Sequence, residues 1–170
     1  MKKKYKTPNH PWERDRISEE LVYLGRFGLR NKRELWKHQS QLRRFRQIAR
    51  YLRTLPDERR EAGLEELAGR LYRLGITEWD IDLEDVLNLT VEDVLKRRLQ
   101  SIVFKKGLAK TVFQARQFIV HGHVAIKGRR ITSPSHLVKR DEEESVDFFF
   151  NSPLANPDHG ERIRTATFDV

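Results

Sequence analysis

The chain has 170 residues, with 34 Lys+Arg against 25 Asp+Glu, net charge +9 and a pI near 10.0, a balance that favours an acidic partner: nucleic acid, an anionic membrane or an acidic protein. That length suits one ordinary domain or two small ones, and the absence of cysteine excludes disulfides, thiolate chemistry and cysteine-held zinc. No run approaches the ~18 apolar residues of a membrane span, and MKKKYKTPNH lacks the apolar core of a signal peptide, so a soluble intracellular protein is expected.

Residues 1–16 read as a basic arm, extended and ordered only by a partner, carrying Lys2, Lys3, Lys4 and Lys6 among two prolines. A long helix is predicted from about Asn31, with Leu35, Leu42, Phe45, Ala49 and Leu52 on one apolar stripe. Pro56 marks its end. Arg43, Arg46, Arg50 and Arg53 form a second ridge beside that stripe. A solvated face is the default for such a ridge, but four arginines bordering a buried face tip the reading toward nucleic acid. Trp36 is expected in the core.

GLEELAGRLYRLGI has helical period and ends at Gly75, a natural cap. DIDLEDVLNL follows as an acidic connector. It lacks the glycine and terminal glutamate of a calcium loop, so its carboxylates read as solvated. Thr90 to Asp93 predicts a capping box that opens a helix with Val91, Val94, Leu95, Leu99, Ile102 and Val103 inward, closed by Gly107. A second box, Thr111 to Gln114, predicts a short helix with Ala115, Phe118 and Ile119 inward and Gly122 as a left-handed cap. The period then falls to two at Val124, Ile126 and Ile131, with a tight turn at Lys127-Gly128. VDFFF predicts a strand completing a small sheet.

Charge is segregated along this order. Residues 61–95 hold 2 Lys/Arg and 10 Asp/Glu, residues 96–140 hold 12 and none, and residues 141–170 hold 2 and 8. Carboxylates repel phosphates, so an acid-free stretch is what a phosphate-facing segment needs. The first capped helix offers Lys96, Arg97, Arg98, Lys105 and Lys106. The second offers Lys110, Thr111, Gln114, Arg116 and Gln117 near its positive end, and His121 and His123 follow. The hairpin offers Lys127, Arg129 and Arg130. Arginine and lysine suit phosphate, whereas glutamine and histidine can read base or ribose edges. Two histidines without further ligands nearby favour a structural or RNA-contacting role over catalysis or metal binding.

KRRLQSIVFKKGLAKTVFQARQFIVHGHVAIKGRRITSPSHLV, residues 96–138, closely resembles the S-four RNA-binding domain. The match rests on Arg97-Arg98-Leu99, Gly107 to Thr111, Ala115-Arg116-Gln117, His121 to Val124, Gly128-Arg129 and Pro134-Ser135, and extends over about 90–150. RFGLRNKRELWKHQSQLRRFRQIARYL (26–52), LYRLGI and DIDLEDVLNLTVEDVLKRRLQ are similar to the archaeal and eukaryotic form of the S-four family of small-subunit ribosomal proteins. The resemblance spans all but about the last 16 residues.

The resemblance implies an α+β chain: a basic arm (1–16), a mostly helical domain with its acidic connector (17–89), an S-four domain of two packed helices and a small antiparallel sheet (90–150), and a C-terminal tail (151–170). It implies a structural constituent of the small ribosomal subunit, cytoplasmic, without enzymatic activity, cofactor, metal, membrane or small-molecule substrate. It also implies direct binding of 16S-type small-subunit rRNA at a multi-helix junction, nucleation of the subunit body, contact with small-subunit protein S-five and a part in translational accuracy. The cysteine-held zinc of some bacterial members does not carry over. Two rival readings are a stand-alone S-four RNA-binding module and the RNA-holding half of an RNA-modifying enzyme. The residues upstream of 90 leave no room for the latter's catalytic domain.

Overall fold

The computed structural model describes residues 3 and 5–162 and divides into two compact units, residues 1–95 and 96–170. The first unit is helical: α1 (Arg14–Arg26), α2 (Lys32–Leu52), α3 (Asp57–Arg73) and α4 (Leu83–Asn88), with α5 (Val91–Lys96) at its end. Asn31 starts α2 as predicted, its side chain accepting from the Glu34 N–H at 3.2 Å. The predicted stripe Leu35, Leu42, Phe45, Ala49 and Leu52 is buried throughout, and α1, α3 and α4 pack against α2.

The arm departs from expectation. Tyr5 lies 6.1 Å from the Trp36 ring, and the Lys6 N–H donates to Ser40 Oγ at 3.1 Å, so residues 5–6 rest on α2. Trp36 is half-buried rather than wholly inside, and its Nε1–H donates to buried Glu20 at 2.9 Å.

Glu20 is a buried carboxylate with three donors around it. Arg16 Nη1 lies at 2.6 Å, Trp36 Nε1 at 2.9 Å and Lys32 Nζ at 3.1 Å. Burial alone raises its pKa, but the Trp36 N–H, the Lys32 ammonium and the Arg16 guanidinium outweigh burial and hold it below the usual carboxylate value. A depressed folded-state pKa gives stability that is present above the unfolded pKa and is lost as pH falls through the folded one. Glu20→Gln is therefore expected to cost roughly 2–4 kcal/mol at pH 7. In thermal melts, the gap to the native protein should close in acid; a gap independent of pH would rule out the carboxylate charge as its source.

The second unit contains α6 (Leu99–Lys105), α7 (Val112–Val120), β1 (Val124–Ile126), β2 (Arg129–Arg130), α8 (Arg140–Glu143), β3 (Val146–Phe148) and a 3-10 turn at Pro153–Ala155. The single helix expected from Thr90 to Gly107 is two helices. Arg98 is extended (φ −68°, ψ 142°) and bridges Leu137, while the Val138 N–H donates to the Arg97 carbonyl at 3.0 Å and the Leu99 N–H to the His136 carbonyl at 2.8 Å. Those strand-like bonds use backbone groups that a helix needs for itself. The predicted apolar face is divided accordingly: Leu95 packs with Phe27, Leu29 and Leu35, whereas Leu99, Ile102 and Val103 join Ala115, Ile119, Val124 and Val146.

The sheet is antiparallel in the order β2-β1-β3, with Ile126 opposite both Arg129 and Val146. Lys127 (φ 48°) and Gly128 (φ 74°) both take the left-handed conformation that a two-residue hairpin turn requires. Ala125, on the face expected to be polar, is buried like Val124 and Ile126, because it is small and flanked by Arg130 and Asp147 on the neighbouring strands. Fold class is as expected: mixed, mostly helical, with one small antiparallel sheet.

Candidate nucleic-acid interface

The helix α7 is the spine of the second unit's charged surface. Thr111 caps it, Oγ1 accepting from the Gln114 N–H at 3.1 Å. The reciprocal bond reaches one residue further back than predicted, since Gln114 Oε1 accepts from the Lys110 N–H at 2.7 Å. Ala115 and Ile119 face the core, which turns residues 113, 116, 117 and 120 outward by helical geometry. Gln117 is exposed and Arg116 half-exposed, its Nη1 lying 3.4 Å from Oε1 of buried Gln100.

At the far end the helix closes on Gly122 (φ +78°), with the Gly122 N–H donating to the Ile119 carbonyl and the His123 N–H to the Phe118 carbonyl. Arg130 of the hairpin lies over this corner: a Cβ placed on Gly122 would stand 2.8 Å from Arg130 Cδ. His121 is exposed and its ring stacks on His123 at 6.2 Å. His123 is half-buried, with Nδ1 2.8 Å from Ser152 Oγ. Burial first, and then the His121 and His159 rings, hold its pKa below the ordinary histidine value.

Several expected surface cations are taken up by the fold. Arg98 is fully buried, and its position at the Leu137 bridge is the reason. Arg97 Nη1 pairs with Glu143 at 2.6 Å and Nη2 donates to the Val138 carbonyl at 3.1 Å. Lys106 Nζ donates to the carbonyls of Glu144 and Val146 at 2.9 and 3.1 Å. In the first unit Arg46 leaves its ridge, Nη2 donating to the Leu89 carbonyl at 2.6 Å. Lys105, Lys127, Arg129 and Arg130 are exposed in the second unit, and Arg43, Arg50 and Arg53 in the first, as are Lys3 and Lys6. Lys2 and Lys4 lie outside the described residues.

Two features were not anticipated from sequence. Phe113 is 61% exposed on the outer face of α7, between Thr111 and Arg116. Its phase, opposite Ala115 and Ile119, was the available signal. Glu161 lies on Lys110 and Gln114, so the acid-free segment is not acid-free in space.

The second unit is thus a helix pair with a basic hairpin, carrying aromatic and amide groups among its cations. A family model for the S4 domain matches residues 97–144, and one for the Ribosomal protein S4/S9 N-terminal domain matches residues 1–96. The chain is 54% identical over 154 residues to small ribosomal subunit protein uS4 of Hyperthermus butylicus, covering 91% of this chain and 88% of that one. It is 51% identical over 152 residues to uS4 of Ignicoccus hospitalis (89% and 92%) and 50% over 153 residues to uS4 of Methanothermobacter thermautotrophicus (90% and 90%). The chain belongs to the uS4 family of ribosomal proteins, in its archaeal form. It is a structural protein and not an enzyme. No helix among the described residues is long and apolar enough to cross a membrane.

Proposed function

We propose that this protein binds small-subunit rRNA directly in the cytoplasm, nucleates assembly of the subunit body and, through contact with small-subunit protein S-five, contributes to translational accuracy. The observation that carries the reading is the segment 96–140: twelve cations and no carboxylate, folded so that Lys105, Lys127, Arg129 and Arg130 stay at the surface. Affinity on this reading is dominated by phosphate contacts and falls steeply with salt, while specificity comes from the shape of a folded junction. Arg43, Arg50 and Arg53 add phosphate contacts from α2. Arg97 and Arg98 act indirectly, by holding residues 137–138, and Lys106 by holding the start of β3. Tagged protein is expected to sediment with small subunits in near-stoichiometric amount. Sedimentation with large subunits or free RNA alone would favour the stand-alone module.

Phe113 adds a stacking surface to this reading. An exposed ring beside Arg116 suits an unstacked base, and stacking of this kind is worth about 1–3 kcal/mol. Phe113→Ala is expected to weaken rRNA binding by roughly tenfold, with Phe113→Tyr close to native. Because stacking releases no counterions, the slope of log affinity against log salt should not change. A reduced slope, or equal loss with tyrosine, would argue against stacking.

A further inference from the structure

Past β3 the chain turns back over its own unit. Ser152 and Leu154 are buried and anchor the turn, and Ser152 Oγ meets His123 Nδ1 at 2.8 Å. Further on, the Arg162 guanidinium lies 5.3 Å from the centre of the Phe148 ring, and its Nη1 donates to the Ala155 carbonyl at 2.7 Å. Between these anchors, Glu161 is set down on the start of α7. Its Oε2 is 3.0 Å from Gln114 Nε2 and 3.4 Å from Lys110 Nζ.

The orientation of Gln114 explains why this spot accepts an anion. Its Oε1 is used by the Lys110 N–H, so its amide NH2 is left facing outward beside the lysine. One cationic and one neutral donor therefore converge on a single oxygen, at the positive end of a nine-residue helix. A phosphodiester oxygen asks for the same donors. Glu161 itself is more than half exposed, and a pair this exposed is weak and screened by salt. The fold of the segment does not depend on it, because Leu154, Ser152 and Arg162 supply the anchoring.

We propose that Glu161 occupies, in the free protein, the place of an RNA phosphate on Lys110 and Gln114, and that its side chain is a cover which RNA must displace. The proposal rests on the rRNA-binding reading above. A cover that is closed a few times more often than open lowers apparent affinity by that ratio, and it penalises loosely bound polyanions that cannot replace both donors.

Titration of small-subunit rRNA against the full chain tests this. Glu161→Gln is expected to bind about two- to fivefold tighter than the native protein at low salt, with the gain shrinking as salt rises. Asp158→Asn removes the same charge from the same segment, and Asp158 makes no ion pair among the described residues; it should bind like the native protein. In a Lys110→Ala background, Glu161→Gln should lose most of its gain, since the pair it relieves is gone. Unchanged affinity for Glu161→Gln, or an equal gain from Asp158→Asn, overturns the cover and leaves the rRNA reading intact. Absence of salt-dependent binding by the native protein and every variant overturns that reading, and the cover with it. Unaltered melting of Glu161→Gln is the check that affinity, not folding, has been changed.

Discussion

Replacing Arg116 and Arg129 together by glutamate is expected to weaken binding to small-subunit rRNA by on the order of 100-fold near 0.1 M salt. Each arginine that meets a phosphate releases about one counterion, so the log–log salt slope should also fall by about 2. Reversal, rather than neutralisation, adds repulsion where attraction was. The comparison is Glu65→Lys with Glu66→Lys, a charge change of the same size and opposite sign at exposed positions on α3, which should move affinity by less than about twofold. A gain from that pair as large as the loss from the arginine pair would mean that only net charge matters. Arg116 also lies 3.4 Å from buried Gln100, so Arg129→Glu alone, on the exposed β2, serves as the variant least able to disturb packing. It should show about half of the slope change with native melting behaviour.

The largest effect on folding is expected at Gly122. Its φ of +78° is a conformation that a β-branched residue tolerates poorly, and a Cβ there would stand 2.8 Å from Arg130 Cδ. The Arg130 side chain is flexible and can yield, so backbone strain is the larger cost. Gly122→Val is expected to destabilise the second unit by about 3 kcal/mol, and Gly122→Ala by about 1–2 kcal/mol. Gly128→Ala shares the positive φ (+74°) but has open space around it, so the difference between the two alanine variants isolates the Arg130 contact. Gly25→Ala, within α1 and with nothing near the added carbon, should instead be neutral or slightly stabilising. Urea titrations that put Gly122→Val within about 0.5 kcal/mol of native would show that the corner tolerates a different backbone.

Much of the architecture was legible because its signals are local. The apolar stripe of α2 is a spacing of three and four residues, and every member proved buried. Thr111, Gly107 and Gly122 delimit α7 and the end of α6 through bonds within a few residues of each other. The break at Arg97-Arg98 was not legible. Val91 to Val103 carries an unbroken helical pattern, and only the bridge from Arg98 to Leu137, 39 positions along the chain, divides it. Helix α1 (Arg14–Arg26) was also not legible as an element: the first helix predicted from the residues begins only at about Asn31.

The candidate interface divides in the same way. By itself the sequence determined which residue types are present and where charge is concentrated: an acid-free segment framed by acidic ones, with a tight basic hairpin in its second half. Only the tertiary structure decided which cations remain available. Arg98 is enclosed, Arg97 is held by Glu143, and Lys110 is covered by Glu161, each through a partner at least 39 residues away. Charge patterning is written in the order of the chain, but pairing depends on distances through space, and carboxylates distant in sequence can be folded onto the cations they were thought to leave free.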